Sequence, residues 1–413
     1  MRKNTLFLFI PAVLFIAGLT AYAPKVPEKD LEAKALAVHD RILSVDTHCD
    51  TVSHLEDKNW DIGVRHEPGK KGSGQIDLPR MAEGRLDAQF FAVFIGQGPL
   101  TEDGYAKARA TALGEIQAIR LMCLKHPSLV GLATSPEDAY RLKKEGKRAA
   151  FIAIENGYPV GSNIASLEEF HGLGARYITL CHSWDNDICD SSTDRRNPED
   201  KGLSDFGREV VAACNRLGIM VDVSHSSDKS FYDILKVTKA PVIASHSSCR
   251  ALCDNPRNLS DEMLGALRAN GGVIQICFVS DYLRTPKSNP ERDKAIQELE
   301  DKFGSFQDIK DEAKRKAIWQ EIEALEEKFP GEKATLKDVV DHIDHVVKVA
   351  GVDCVGIGTD FDGGGEVEGC NEVSQMFRIT EELLRRGYSE EDIGKIWGGN
   401  TMRVFQKVID ASQ

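Results

Sequence analysis

The sequence predicts a (β/α)₈ barrel, and three observations carry the prediction. Eight short apolar runs alternate with segments of helical period. Most of these runs end in His, Asp or Glu. No G-x-G-x-x-G follows the first run, and no G-x-x-x-x-G-K-[ST] loop occurs, which weighs against the competing reading, a doubly wound open sheet built around a nucleotide. A parallel strand is covered by helices on both faces, so it reads as a continuous apolar run and not as an alternating one. Strands that alternate with helices give a parallel sheet, and eight of them close into a barrel.

Along the chain, Arg2 and Lys3 precede an apolar run from Leu6 to Leu19, broken by Pro11 and followed by Ala21-Tyr22-Ala23. This is the pattern of a secretory signal, shorter than the roughly 20 residues of a comfortable membrane span. Residues 1–23 are therefore expected to be a signal peptide and 24–413 one barrel domain, exported to the periplasm or beyond. Pro24 disfavours a cut after Ala23, so an uncleaved anchor at a membrane is the alternative.

The first strand, Ile42–Val45, runs into Asp46-Thr47-His48-Cys49-Asp50, and the second is Ala88–Ile95. The third, Ala149–Ile154, ends on Glu155, and the fourth, Tyr177–Leu180, on His182. The fifth, Ile219–Val223, carries Asp222 and leads to His225; the sixth, Pro241–Ala244, leads to His246. The seventh is Gly272–Phe278, and the last, Val355–Gly358, leads to Asp360-Phe361-Asp362. Helices are predicted at Tyr105–Leu124, Pro136–Lys144, Ser166–Leu173, Asp205–Leu217, Asp228–Val237, Asp261–Ala269, Thr335–Ala350 and Cys370–Arg386. Asp281–Lys333 interrupts the repeat as a charged helical insertion, read as a solvated hairpin or as a pocket wall or homodimer contact. Tyr282 and Arg284 are its residues expected to face the pocket.

In such a barrel the C-terminal strand ends gather at one mouth, where active sites lie. Six strands deliver His, Asp or Glu there. Imidazoles mixed with carboxylates, without clustered thiolates, suit zinc or a similar first-row ion. Imidazoles and carboxylates in this number exceed one tetrahedral site. They fit two adjacent metals sharing a carboxylate with a water or hydroxide between them, which is hydrolytic chemistry. Lys plus Arg number 52 against 65 Asp plus Glu, a net charge of −13, which argues against a general nucleic-acid binder.

Together, Asp46-Thr47-His48-Cys49-Asp50-Thr51, Glu155-Asn156-Gly157, Arg176-Tyr177-Ile178-Thr179-Leu180-Cys181-His182, Asp222-Val223-Ser224-His225, Ser245-His246-Ser247-Ser248, Pro256-Arg257-Asn258 and Gly358-Thr359-Asp360-Phe361-Asp362-Gly363 resemble the membrane (renal) dipeptidase family. Gln75-Ile76-Asp77-Leu78-Pro79-Arg80 and Gly398-Gly399-Asn400 fit as well, so the resemblance spans residues 40 to 408. It implies a metal-dependent-hydrolase barrel with two Zn²⁺ ions acting on dipeptides. His48 and Asp50 would bind one zinc, His225 and His246 the other, and Glu155 would bridge them. His182 would contact the substrate and stabilise the oxyanion, Arg257 would grip the terminal carboxylate, and Asp360 would move protons. Cys49, Asn156 and Cys181 stand where the family usually has asparagine, glycine and threonine. These departures bear on substrate preference more than on metal binding.

His342 and His345 share one helix face, but that helix lies on the outer ring, so a structural role is expected. The ten cysteines contain no C-x-x-C pair and read mostly as buried small hydrophobes, a few of which could pair in an exported chain. Two other functions stay open: another hydrolase on the same barrel, acting on a lactone or amide, and a non-catalytic exported binding protein. Arg257 favours a substrate bearing a carboxylate, and every proposed catalytic position is filled.

Overall fold

This computed structural model describes residues 30–413 except 198, 286, 288, 304–317, 319–320, 323, 326–327 and 330. The expected signal peptide, residues 1–23, lies outside the described residues. Among those that are described, no helix is long and apolar enough to cross a membrane.

The strands are β1 (Val45–Cys49), β2 (Ala88–Phe94), β3 (Val130–Leu132), β4 (Arg148–Glu155), β5 (Ala175–Thr179), β6 (Met220–Asp222), β7 (Ile243–Ser247), β8 (Val273–Ile276) and β9 (Val355–Ile357). All ladders are parallel, in the order β1-β2-β4-β5-β6-β7-β8-β9, and β3 pairs with the N-terminal end of β4. The seam between the last and first strands is drawn together beyond the β9 ladder. Asp360 N donates to His48 O (3.1 Å) and Asp50 N to Phe361 O (2.8 Å). The predicted barrel is borne out, and this seam sets Asp360 beside His48 and Asp50.

Side-chain alternation explains how the interior is layered. Phe90, Phe151 and Tyr177 stack inside the barrel, with Phe90 centred 4.4 Å from Phe151 and 5.5 Å from Tyr177. Phe405, from the closing helix Asn400–Ala411, meets Phe151 edge-on from below. Two residues further along the strands the interior turns polar, with Thr179, Asp222 and Ser245 fully buried. In β4 the same two-residue step from Ala149, Phe151 and Ala153 reaches Glu155.

Helix ends are set by local chemistry. Ser135, Ser204, Ser227 and Ser260 each accept a hydrogen bond from a first-turn backbone N–H, a cap worth about 1 kcal/mol each. Gly218 and Gly271 take the left-handed conformation that ends their helices.

Several expectations need correction. The first strand starts later than Ile42 because Asp46, Thr47 and His48 are themselves strand residues. Their polar groups are satisfied across the barrel: Thr47 donates to Ser245 O, and Asp46 accepts from Thr359. The short β3 was not predicted. The last predicted helix is broken: Glu372 accepts from Ser374 N to cap a single tight turn, and the helix runs only over Phe377–Arg386. The insertion begins with helices Ser280–Leu283 and Pro290–Phe303, and most of its second half lies outside the described residues. Tyr282 faces the cavity, but Arg284 does not; it is 44% exposed and 3.7 Å from Glu332. All ten cysteines are buried and unpaired. His342 accepts from Cys249 N and reaches Leu283 O, while His345 meets Asp261. Both are structural.

Candidate active site

The strand ends bring His48, Asp50, Glu155, His182, His225, His246 and Asp360 to one mouth. Glu155 stands at the centre and divides its two oxygens. Oε2 lies 3.3 Å from His48 Nε2. Oε1 lies 3.2 Å from His225 Nε2 and 3.5 Å from both His182 and His246 Nε2. On the His48 side, Asp50 and Asp360 approach the same Nε2, at 3.6 and 3.9 Å. Three overlapping donor groups result: His48 with Asp50 and Asp360, His48 with Glu155 and His246, and Glu155 with His182 and His225.

These residues fit metal ions. His225 Nε2 and His246 Nε2 lie only 2.8 Å apart, so two lone pairs face each other unless a proton or cation intervenes. His48 Nε2 is buried without a hydrogen-bond partner. Its Nδ1 lies 2.7 Å from Tyr177 Oη, whose hydrogen goes to Thr47 O at 3.0 Å. Nδ1 must therefore carry the proton, which leaves the Nε2 lone pair toward the cluster.

Electrostatics point the same way. Burial, then Asp50, pushes the Asp360 carboxyl well above its ordinary range. Burial and Glu155 push Asp50 up. Burial opposes charge on His48, yet Tyr177 and Glu155 carry it well above the usual imidazole range. Asp50 and Asp360, crowded beside Glu155 in one desolvated cluster, are pushed toward their protonated forms, whereas Glu155 is held well below the usual carboxylate range: burial opposes this, but His48 and His182 outweigh it. Burial, reinforced by Arg257, holds His225 well below its usual range; burial, then His48 and Arg257, does so for His246. A neutral imidazole is the form that ligates a metal.

The backbone here is strained. Asn156, His225, Asp360 and Asp362 all have φ between 62 and 77°, a region non-glycine residues seldom occupy, and such outliers persist where surrounding structure over-determines them. Asn156 is among the residue types that best tolerate this conformation. Gly363 cannot gain a side chain, because a Cβ would strike the carboxylates of Asp50 and Asp360. Asp362 is a brace: Oδ1 accepts from Gln75 N and Oδ2 from Thr51 Oγ1.

The clustered side chains open into a cavity of about 650 Å³. Arg257 lines it, only 4% exposed. Its Nη2 donates to His246 O (3.0 Å), its Nε has no partner, and it lies over the Tyr282 ring. Among the described residues no carboxylate pairs with it. His182 is the most exposed of the four imidazoles, at 26% for its side chain, and packs against Phe94.

Phe94 and Glu115 are among the cavity residues that sequence reasoning missed. Phe94 ends β2 at the mouth. Glu115 sits on the helix Glu102–Lys125, where burial, then Glu56 and Asp50, raises its carboxyl to about 8. A glutamate interrupting the buried stripe of Ala108, Ala112, Ile116 and Ile119 was the signal available.

The profile of the family described as Membrane dipeptidase (Peptidase family M19) matches residues 32–413. Dipeptidase tcpJ of Claviceps purpurea is 32% identical over 359 residues, which are 86% of this chain and 74% of that protein. Dipeptidase ataJ of Aspergillus terreus is 32% identical over 365 residues, 82% of this chain and 78% of that protein. The solved structure of the probable dipeptidase PvdM from Pseudomonas aeruginosa is 33% identical, with a TM-score of 0.81, covering 93% of this chain and 99% of that one. A metallo peptidase from Rhodobacter sphaeroides, solved with a phosphinate mimic of the dipeptide L-Ala-D-Ala, is 23% identical with a TM-score of 0.70 over 89% of this chain and 99% of that one, and shares the fold. With the profile spanning nearly every described residue and the ligand cluster at the barrel mouth, the chain belongs to the membrane dipeptidase family, peptidase family M19, and is a metallo-dipeptidase.

Proposed function

We propose that the protein uses two zinc ions to hydrolyse dipeptides bearing a free C-terminal carboxylate. The observation that carries this reading is Arg257: a buried guanidinium that, among the described residues, has no carboxylate partner, in the same cavity as the His, Asp and Glu cluster. A desolvated charge of this kind calls for an anion, and its planar fork matches a carboxylate. The short path from Arg257 past His246 to the cluster suits a substrate one peptide bond long.

In this reading His48 and Asp50 hold one ion, His225 and His246 the other, and Glu155 joins them. The opposite directions of its two oxygens support the bridge. Zinc ions held there would supply the Lewis acidity that activates a water near neutral pH and polarises a carbonyl. Asp360 takes the proton of the attacking water and passes it to the leaving amine as the C–N bond breaks. His182, reaching into the cavity, donates to the oxyanion of the tetrahedral intermediate. The basic, apolar and small residues at the amino terminus support export. A second reading, that His182 is a ligand, draws on its place beside Glu155 and His225.

The test is amine release from dipeptides of mixed chirality by the zinc-loaded protein, with C-amidated forms as controls. Release from free dipeptides alone is expected. Equal hydrolysis of amidated forms, or activity only on lactones, would overturn the reading.

A further inference from the structure

Asp222 is fully buried at the end of β6, and the mechanism above does not use it. Every contact it makes comes from a donor. Oδ1 accepts from Ser224 N (3.0 Å) and Ser245 N (2.8 Å). Oδ2 accepts from Thr179 Oγ1 (2.5 Å) and Ser245 Oγ (2.6 Å). Ser245 Oγ also lies 2.8 Å from His246 Nδ1. A hydroxyl has one hydrogen, and here the carboxylate takes it. The only hydrogen left for the second contact is one on His246 Nδ1.

We propose that Asp222 is a positioning residue which, through Ser245, fixes the His246 tautomer with the proton on Nδ1 and the Nε2 lone pair toward the metal cluster. The proposal rests on His246 being a ligand, as argued above. Its logic is that of a metal-bound histidine whose other nitrogen donates to a carboxylate, with a serine interposed. Tyr177 does the same for His48 by way of Thr47 O. At His246 a carboxylate sets the direction of the chain, so the direction can be reversed by one atom.

Asp222→Asn makes that reversal. The two backbone N–H groups hold the amide oxygen at the Oδ1 position, so the amide nitrogen takes the Oδ2 position and donates to Ser245 Oγ. The serine hydrogen then turns to His246 Nδ1, and the ring proton moves to Nε2, where it blocks ligation.

The experiment measures zinc retained per chain against a graded chelator, for wild type, Asp222→Asn, Ser245→Ala and the double variant. Loss of such a partner typically costs about 10–100-fold in metal affinity. Asp222→Asn is expected to weaken one ion by that factor. Ser245→Ala, which frees the ring without inverting it, is expected to cost less. The double variant should be no worse than Ser245→Ala, since the asparagine acts only through the serine hydroxyl. A purely structural role for Asp222 gives additive losses instead, and additive losses overturn the proposal. So does unchanged affinity in Ser245→Ala, which decides the matter even if Asp222→Asn does not fold. His246→Ala separates the two layers of argument. If it keeps both ions, His246 is not a ligand; if it loses one while Asp222→Asn and Ser245→Ala lose none, the relay alone is wrong.

Discussion

Replacing Arg257 by Met removes a guanidinium that is 4% exposed and has no carboxylate partner among the described residues. In the free protein its remaining bonds are to His246 O and, at 3.5 Å, to Ser247 Oγ. The charge is therefore poised for substrate and costs little to complete. Truncating one partner of a desolvated charge pair costs about 2–5 kcal/mol, part of it the penalty on the carboxylate left behind. At about 1.4 kcal/mol per factor of ten, kcat/KM for a free dipeptide should fall roughly 30- to several-thousand-fold. Because Arg257 also holds the carbonyl of His246, zinc per chain must be measured alongside and should be retained. Amidating the substrate's carboxyl terminus should cost the wild type a similar factor and the variant little more. If Arg257 only braced its loop, both substrates would lose equally and Tm would fall; losses that add across enzyme and substrate changes would refute the clamp.

Three further outcomes follow from the same geometry. Asp360→Asn keeps the shape and removes the proton carrier, so kcat should drop about 10²–10⁴-fold with metal largely retained; a change under about threefold would move the role elsewhere. His182→Ala should keep both ions while kcat falls, and loss of an ion on metal analysis would make His182 a ligand. Glu155→Gln should release metal and most of the turnover, and near-normal zinc content and turnover would show that Glu155 does not join the two sites.

The barrel was legible because buried parallel strands have a strong apolar signature, as in Ala149–Ile154, and because its helices carry an apolar stripe, as in Asp205–Leu217, found with the predicted bounds. The signal failed where burial is polar. β1 was placed too early because its Asp46, Thr47 and His48 are satisfied by Ser245, Thr359 and Tyr177, partners that lie 129 to 313 residues away in sequence. β3 has three residues and one neighbour, too little for a pattern. The convergence of His48, Glu155, His225 and His246 was readable because strand ends in a barrel meet whatever their spacing along the chain. What joins them was not: the direction of each hydrogen bond around Asp222, Ser245 and His246 depends on neighbours across three strands. The resemblance pointed to these strand ends, and the structure adds how their side chains are held.

The central claim is a pair of metal ions shared through Glu155, and metal content tests it most directly. Fully active, purified protein should hold close to two zinc ions per chain, lose activity on chelation, and regain it only as the second equivalent of zinc is restored. One ion or none in protein at full activity would contradict the account.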